Sequence, residues 1–309
     1  MSKRVVIGTR RSLLARAQTA WVADRIGDLH PGVEVVLEPI TTRGDRKPDT
    51  PLPAIGGKGL FTAELEEALL EGRIDLAVHS AKDLPTEMPD GLHLAAVPPR
   101  ADPRDALIAR RGKTLDDLPE NATIGTSSTR RCAQLRLLRK DFRFATLRGN
   151  VDTRINKVRR GDCDATLLAM AGLARAGLAH EAAGILDLDV MIPAPGQGTL
   201  ALQSRTDDGR TNELLRKLDD PDSAAALSCE RAVLASLQGG CQAPIGVLVR
   251  RDGSQWQCHA IVASPQGTAA ARAAVTGLLD TLAQRVVAAL TQQGAADIIA
   301  ACRQQEETE

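Results

Sequence analysis

Aromatic residues are almost missing from this chain of 309 residues: three Phe, two Trp and no Tyr, 2% in all. Proteins that hold single-stranded nucleic acid usually stack bases on aromatic rings, so this scarcity argues against nucleic acid as a ligand. An excess of either charge is also missing. Lys plus Arg and Asp plus Glu both number 39, which leaves no net basicity to drive counterion release from a polyphosphate and no polyacidic tail. No apolar run approaches the length needed to span a bilayer, so no membrane helix is expected. Met1 to Gly8 lacks the apolar core of a secretory leader. The six cysteines (132, 163, 229, 241, 258 and 302) form no CxxC pair; neither a disulfide framework nor a metal site is expected, and a cytoplasmic location with reduced thiols is the economical reading. GxxxxGK[ST] and GxGxxG phosphate loops are absent too.

What is present is a 43% hydrophobic, 25% charged composition able to bury more than one core. Val5-Val6-Ile7-Gly8 reads as a buried strand, Leu13 to Leu29 as a helix with Ser12 at its N-cap, and Val33 to Ile40 as a second strand. This β-α-β opening predicts a parallel sheet covered by helices. A Gly- and Pro-rich loop over 42–60 follows, of a length usually tied to function. Pro-rich segments at 98–103 and 192–198 each precede a renewed α/β rhythm, so the chain is expected to leave a first domain, build a second and return. The expected domains are 1–98 with 199–216, 104–192, and 221–309, the last a small α+β unit with a short antiparallel sheet. Two domains joined by a double crossing fit hinged two-lobed folds with a ligand held between lobes.

Arginine dominates the cations, 31 against eight lysines. Nine of those arginines fall within 130–160 with Lys140 and Lys157, opposed only by Asp141 and Asp152. Arg136, Arg139, Arg159 and Arg160 suit a solvated helix face. Arg130 and Arg131 instead follow Thr126-Ser127-Ser128-Thr129, a strand-to-helix turn whose hydroxyls and free N–H groups suit an anion. Arg148-Gly149-Asn150, with Arg154 one turn on, is a second such turn, and Thr9-Arg10-Arg11-Ser12 a third. In parallel α/β sheets these turns lie at the carboxyl ends of strands, where ligands bind. The guanidinium fork pairs with carboxylate at two points, which Lys cannot do. Asp83, after the strand 74–78 and beside Lys82, suits a catalytic acid or a capping group. His79 suits a catalytic or a buried structural role. Cys241, behind Gly239-Gly240, suits an accessible thiol or an ordinary turn.

These segments resemble one family along the whole chain: TRRSLLARAQ (9–18), TRGD (42–45), GGKGLFTAELE (56–66), DLAVHSAKDLP (75–85), DPRDALI (102–108), IGTSSTRR (124–131), LRGNVDTR (147–154), LAMAGLARAGL (168–178), PAPGQGTLA (193–201), ERAVL (230–234) and GGCQAPIG (239–246). The family is the porphobilinogen deaminases, or hydroxymethylbilane synthases, of tetrapyrrole biosynthesis. The resemblance implies a fold of three α/β domains, the first two like hinged periplasmic binding proteins, and a transferase that condenses four porphobilinogen molecules head to tail with loss of ammonia. It implies a dipyrromethane cofactor on a thioether to Cys241 and a catalytic carboxylate at Asp83. It assigns Ser12, Lys82, Asp83, Thr126, Ser128, Arg130, Arg131 and Gln197 to the cofactor, and Arg10, Gln18, Arg148, Arg154 and Arg175 to the substrate. The 42–60 loop matches the family's active-site loop. Arg11 stands where the family commonly has Gln, and Thr129 where it has Leu. A monomer that passes its product to the next pathway enzyme is implied, and no nucleic-acid or membrane partner. A non-catalytic two-lobed anion-binding module is the competing reading.

Overall fold

Short apolar runs fenced by polar turns build each sheet of the computed structural model, which describes residues 4–46, 62–238 and 243–308. The chain divides into two units, Met1–Ala101 with Thr199–Ala224 and Asp102–Gly198 with Ala225–Glu309.

In the first unit, strands β1 (Arg4–Thr9), β2 (Glu34–Pro39), β3 (Leu76–Ser80) and β4 (Leu92–Ala96) join β10 (Leu200–Arg205), numbered in chain order. The order is β2-β1-β3-β10-β4. β1 runs parallel to both neighbours, while β10 is antiparallel to β3 and β4. The sheet is therefore mixed where a parallel one was expected. Helix α1 (Leu13–Leu29) starts as Ser12 predicts, the Ser12 hydroxyl accepting the Ala15 N–H at 3.2 Å. It stops at His30, beyond which Gly32 takes a left-handed φ of 88° that favours glycine. A short helical turn α2 (Arg43–Arg46) precedes α3 (Ala63–Leu70). Val22 and Ile26 of α1 pack with Leu215 of α7 (Gly209–Arg216) against Val5, Ile7, Leu76 and Leu202. Leu65 and Leu69 of α3 cover the other face over Ile74 and Ala77. Burial on both faces is why these strands read as unbroken apolar runs.

The second unit opens with a sheet of β5 (Asp105–Ala109), β6 (Thr123–Gly125), β7 (Arg143–Ala145), β8 (Ala165–Ala169) and β9 (Gly184–Ile185). The order is β7-β6-β8-β5-β9, with β5 antiparallel to its neighbours. Helix α4 (Thr129–Leu138) places Leu135 over Ile124 and Leu167, and α5 (Val151–Arg160) places Ile155 and Val158 with α6 (Met170–Arg175) over Ile108 and Leu168. The rest of the unit is a three-stranded antiparallel sheet, β11 (Ile245–Asp252), β12 (Gln255–Ala263) and β13 (Ala270–Gly277). Period-two alternation along β12 sends Cys258, Ala260 and Val262 into a core with α8 (Pro221–Ser236), α9 (Leu279–Thr291) and α10 (Ala295–Thr308). The intervening Ile261 and Ala263 meet Ala133 and Ile192. α10 runs to Thr308, and no helix among the described residues is long and apolar enough to cross a membrane.

Candidate active site

In the first unit β1 and β3 lie side by side and parallel, with Ile7 opposite Leu76 and Gly8 opposite Ala77. Their carboxyl ends share one edge of the sheet. β1 leads into Arg10 and Ser12, and β3 into the 3₁₀ turn Ala81–Asp83. A Cβ on Gly8 would meet the side-chain tips of Ile74 and Leu65, which would have to shift to admit it, so glycine lets β1 pack closely here. Gln18, buried on α1, donates to the Ser80 hydroxyl at 2.9 Å, and Thr19 donates to Thr9 at 2.9 Å. These bonds lock the two turns together. Asp83 is exposed and makes no hydrogen bond or ion pair with the described residues, while Lys82 before it in sequence and Arg10 just past β1 are half-buried.

His79 has a different fate. Its imidazole is buried, and loss of water lowers its pKa to about 4; a 2.9 Å bond to Gln203 opposes this, and the nearby charge of Arg10 adds to it. Gln203 Nε2 donates to Glu66 at 3.1 Å, which leaves its carbonyl as the acceptor and makes His79 Nε2 the donor. His79 is thus neutral at ordinary pH and part of the interior. The structural alternative wins over the catalytic one.

In the second unit β6, β7 and β8 run parallel and their carboxyl ends also converge on one edge. Ser128 caps α4 by accepting the Arg131 N–H, Thr126 accepts the Ser128 N–H at 3.1 Å, and Ser127 donates to the Leu147 carbonyl at 3.0 Å. The hydroxyls expected to line an anion site therefore build the turn first; the O–H groups of Thr126 and Ser128, which act there as acceptors, are what a ligand could use. Gly149 holds a φ of 110° at the second turn, and Arg154 Nε donates to its carbonyl at 2.7 Å. Arg148 is half-buried beside it.

Arg130 and Arg131 are buried rather than reaching into open solvent. Both meet Asp105, which has no exposed surface: Arg130 Nη2 lies 2.9 Å from Oδ2, and Arg131 Nη2 lies 2.6 Å from Oδ1. Arg130 Nη1 also donates to the Ile192 carbonyl at 2.8 Å. Gln197, with no exposed surface, donates to Asp105 at 3.1 Å and to the Pro103 carbonyl at 2.8 Å. Its amide is a strut behind the arginines.

Arg175 stands apart. It sits on the last turn of α6, its Nη2 donates to the neutral Gly198 carbonyl at 2.8 Å, and burial draws its pKa down to about 10. No carboxylate pairs with it among the described residues. A desolvated guanidinium whose partner is only a carbonyl is a costly arrangement in the absence of an anion.

The cationic stretch 130–160 is compensated mostly by acids from elsewhere in the chain: Asp105, Glu181 for Arg159 at 2.5 Å, and Asp162 for Arg160 at 3.3 Å. Arg136 and Arg139 do not form the solvated face expected of them. Arg139 pairs with Asp141 at 2.6 Å, donates to the carbonyls of Leu115 and Leu118, and lies 4.3 Å over the Phe142 ring. Arg136 lies 4.7 Å over Phe144 and bonds the Pro265 carbonyl. The main residue overlooked in the sequence is Asp105. It sits inside DPRDALI, but its place opposite Ala169 at the end of β8 follows only from the antiparallel pairing. Cys241 and residues 47–60 of the long loop lie outside the described residues.

Comparison with known proteins bears on this arrangement. Residues 5–213 match the family profile described as "Porphobilinogen deaminase, dipyromethane cofactor binding domain", and residues 224–292 match "Porphobilinogen deaminase, C-terminal domain". The porphobilinogen deaminase of Roseiflexus sp. is 51% identical over 86% of this chain and 88% of its own. That of Pelotomaculum thermopropionicum is 44% identical over 100% of both chains. Among solved structures, the methionine-binding protein MetQ aligns with 75% of this chain and 96% of its own at a TM-score of 0.45 and 14% identity, too distant to speak of ligand.

Proposed function

The chain belongs to the porphobilinogen deaminase family, and from that premise we propose that the two strand-end clusters bind pyrrole carboxylates while Asp83 serves the reacting centre. It is a transferase of tetrapyrrole biosynthesis that condenses four porphobilinogen molecules, with loss of ammonia, into linear hydroxymethylbilane on a dipyrromethane primer. The family match sets aside a non-catalytic binding module.

Each pyrrole of substrate and cofactor carries an acetate and a propionate. The observation that carries the residue-level reading is Arg175, a partly buried guanidinium pulled to about 10 by desolvation and bonded, among the described residues, only to a carbonyl. Such a group fits a ligand that brings its own carboxylates. When bound, the dipyrromethane supplies the pyrrole carbon on which the chain starts, held by a thioether to Cys241. Ser12, Lys82, Thr126, Ser128, Arg130 and Arg131 hold its carboxylates, with Gln197 acting from behind. Arg10, Arg148, Arg154 and Arg175 hold those of porphobilinogen, and Gln18 steadies the Ser80 turn. Among the described residues Asp83 has no partner to neutralise it. Its carboxylate is therefore available to accept the substrate pyrrole N–H and to stabilise the positive charge left on that pyrrole as ammonia departs.

On the same reading the domains are 1–98 with 199–216, 104–192 and 221–309, the enzyme is a cytoplasmic monomer, and its product passes to the next pathway enzyme. The test is direct. Purified protein is incubated with porphobilinogen, and the ammonia released is counted against the substrate consumed. One ammonia per porphobilinogen, with hydroxymethylbilane as product, is expected. A folded protein that consumes none overturns the reading.

A further inference from the structure

The two arginines at the start of α4 do not arrange themselves. Asp105 receives Arg131 through Nε at 3.2 Å and Nη2 at 2.6 Å, Arg130 through Nη2 at 2.9 Å and Gln197 through Nε2 at 3.1 Å. All four side chains are buried. Nothing in a helix start requires this: Ser128 already caps α4. The strut is itself held, because the Gly196 N–H next to Gln197 donates to the buried carboxylate of Glu230 at 2.6 Å. Two guanidiniums against one carboxylate leave one positive charge uncompensated within the cluster. Burial and the neighbouring Arg131 both lower the pKa of Arg130, while Asp105 opposes them.

We propose that Asp105 is a positioning residue, which fixes the forks of Arg130 and Arg131 and leaves one unit of positive charge for a ligand carboxylate. Without it two unpaired guanidiniums would repel each other and swing apart; with a second acid paired to them beside Asp105 the cluster would be neutral and hold no anion. The carboxylate acts through the arginines and does not touch the ligand. This inference rests on the family reading above, in which that ligand carboxylate belongs to the dipyrromethane or to porphobilinogen.

The test uses the full-length protein. Wild type and Asp105→Asn are purified as folded protein, the fraction carrying dipyrromethane is read from intact-protein mass, and KM and kcat are expressed per loaded molecule. Losing a charged hydrogen-bond partner is expected to lower the loaded fraction about tenfold and raise KM about tenfold, with kcat per loaded molecule changed less than about threefold. A role confined to folding would lower thermal stability and leave KM and loading unchanged, and that result overturns the proposal. Should Asp105→Asn not fold, Gln197→Met removes one donor from Asp105 without changing charge, at a side chain with no exposed surface. A rise in KM of about threefold is expected for it, and wild-type KM and loading count against the proposal. A wild type that is neither loaded nor active would instead defeat the family reading itself.

Discussion

The sheets of the two α/β lobes run β2-β1-β3-β10-β4 and β7-β6-β8-β5-β9, and in both the fourth strand is antiparallel. The likeness reaches single residues. Asp75 accepts the Val6 N–H at 2.8 Å and returns its own N–H to Val6, while Asp164 accepts the Thr123 N–H at 2.8 Å and returns its own to Thr123. Gly8 and Gly125 stand at matching places in β1 and β6. A Cβ on either would strike the residue before the aspartate, Ile74 in one lobe and Cys163 in the other. Where the lobes part is past the strand. The chain that leaves Asp75 reaches the exposed acid Asp83, and the same distance beyond Asp164 stands Gly172. The second lobe carries the arginine pair on Asp105 and the half-buried Arg175 instead. The framework is duplicated and the chemistry is not, so variants in matching positions should not behave alike.

The largest effect is expected from Asp83→Asn. An amide cannot hold the charge that develops as ammonia leaves, so kcat should fall at least about 100-fold with the loaded fraction unchanged by intact mass. A near-normal rate would dissolve the contrast between the lobes.

His79 confines a pH response to the first lobe, where the matching residue of β8 is Leu168. Its folded pKa of about 4 lies below the ordinary 6.5, so the unfolded chain takes up the proton first as pH falls. Stability should be full above pH 6.5, decline between 6.5 and 4, and lose on the order of 3 kcal/mol there. Denaturant titration across that range checks this; His79→Gln should flatten the decline, and an unchanged pH slope in the variant would place the response elsewhere.

Gly125→Ala should cost more than Gly8→Ala, about 2–3 against about 1 kcal/mol. The new methyl at Gly8 meets only the tips of Ile74 and Leu65, whereas at Gly125 it also meets Leu147 Cβ. Equal midpoint shifts in urea would show that the two strands are seated differently from this description.

Arg175→Met should raise KM about tenfold. It should not lower the melting temperature, because the substitution removes a desolvated cation that has no carboxylate partner among the described residues. A lowered melting temperature with unchanged KM would make Arg175 a structural residue.

Much of this was legible in the residues. Ser12 marks the start of α1, and His30-Pro31-Gly32 its end, because caps and left-handed glycine act locally. The turns at Thr126–Ser128, Arg148–Asn150 and Ala81–Asp83 stand out because apolar strands stop abruptly there. What local pattern does not carry is pairing at a distance. The run 130–160 is strongly cationic as a segment, and the acids that meet part of its charge, Asp105 and Glu181, lie outside it. The antiparallel course of β5 brings Asp105 to the strand ends, and nothing in DPRDALI announces that register. Helix α7 hid behind Asp207-Asp208-Gly209, which reads as a turn, although Asp208 caps it by accepting the Thr211 N–H at 3.0 Å. The end of α10 reads as a frayed tail because its polar residues lack an apolar stripe, yet Gln and Glu are good helix formers.

The central claim is that this chain builds its product on a pyrrole primer attached to Cys241. Intact-protein mass tests it most directly. The wild type should be heavier than its sequence by one dipyrromethane, and Cys241→Ser should have the mass of its sequence and no turnover. A wild type that consumes porphobilinogen at its bare sequence mass, or a Cys241→Ser protein that keeps the added mass, would contradict the account.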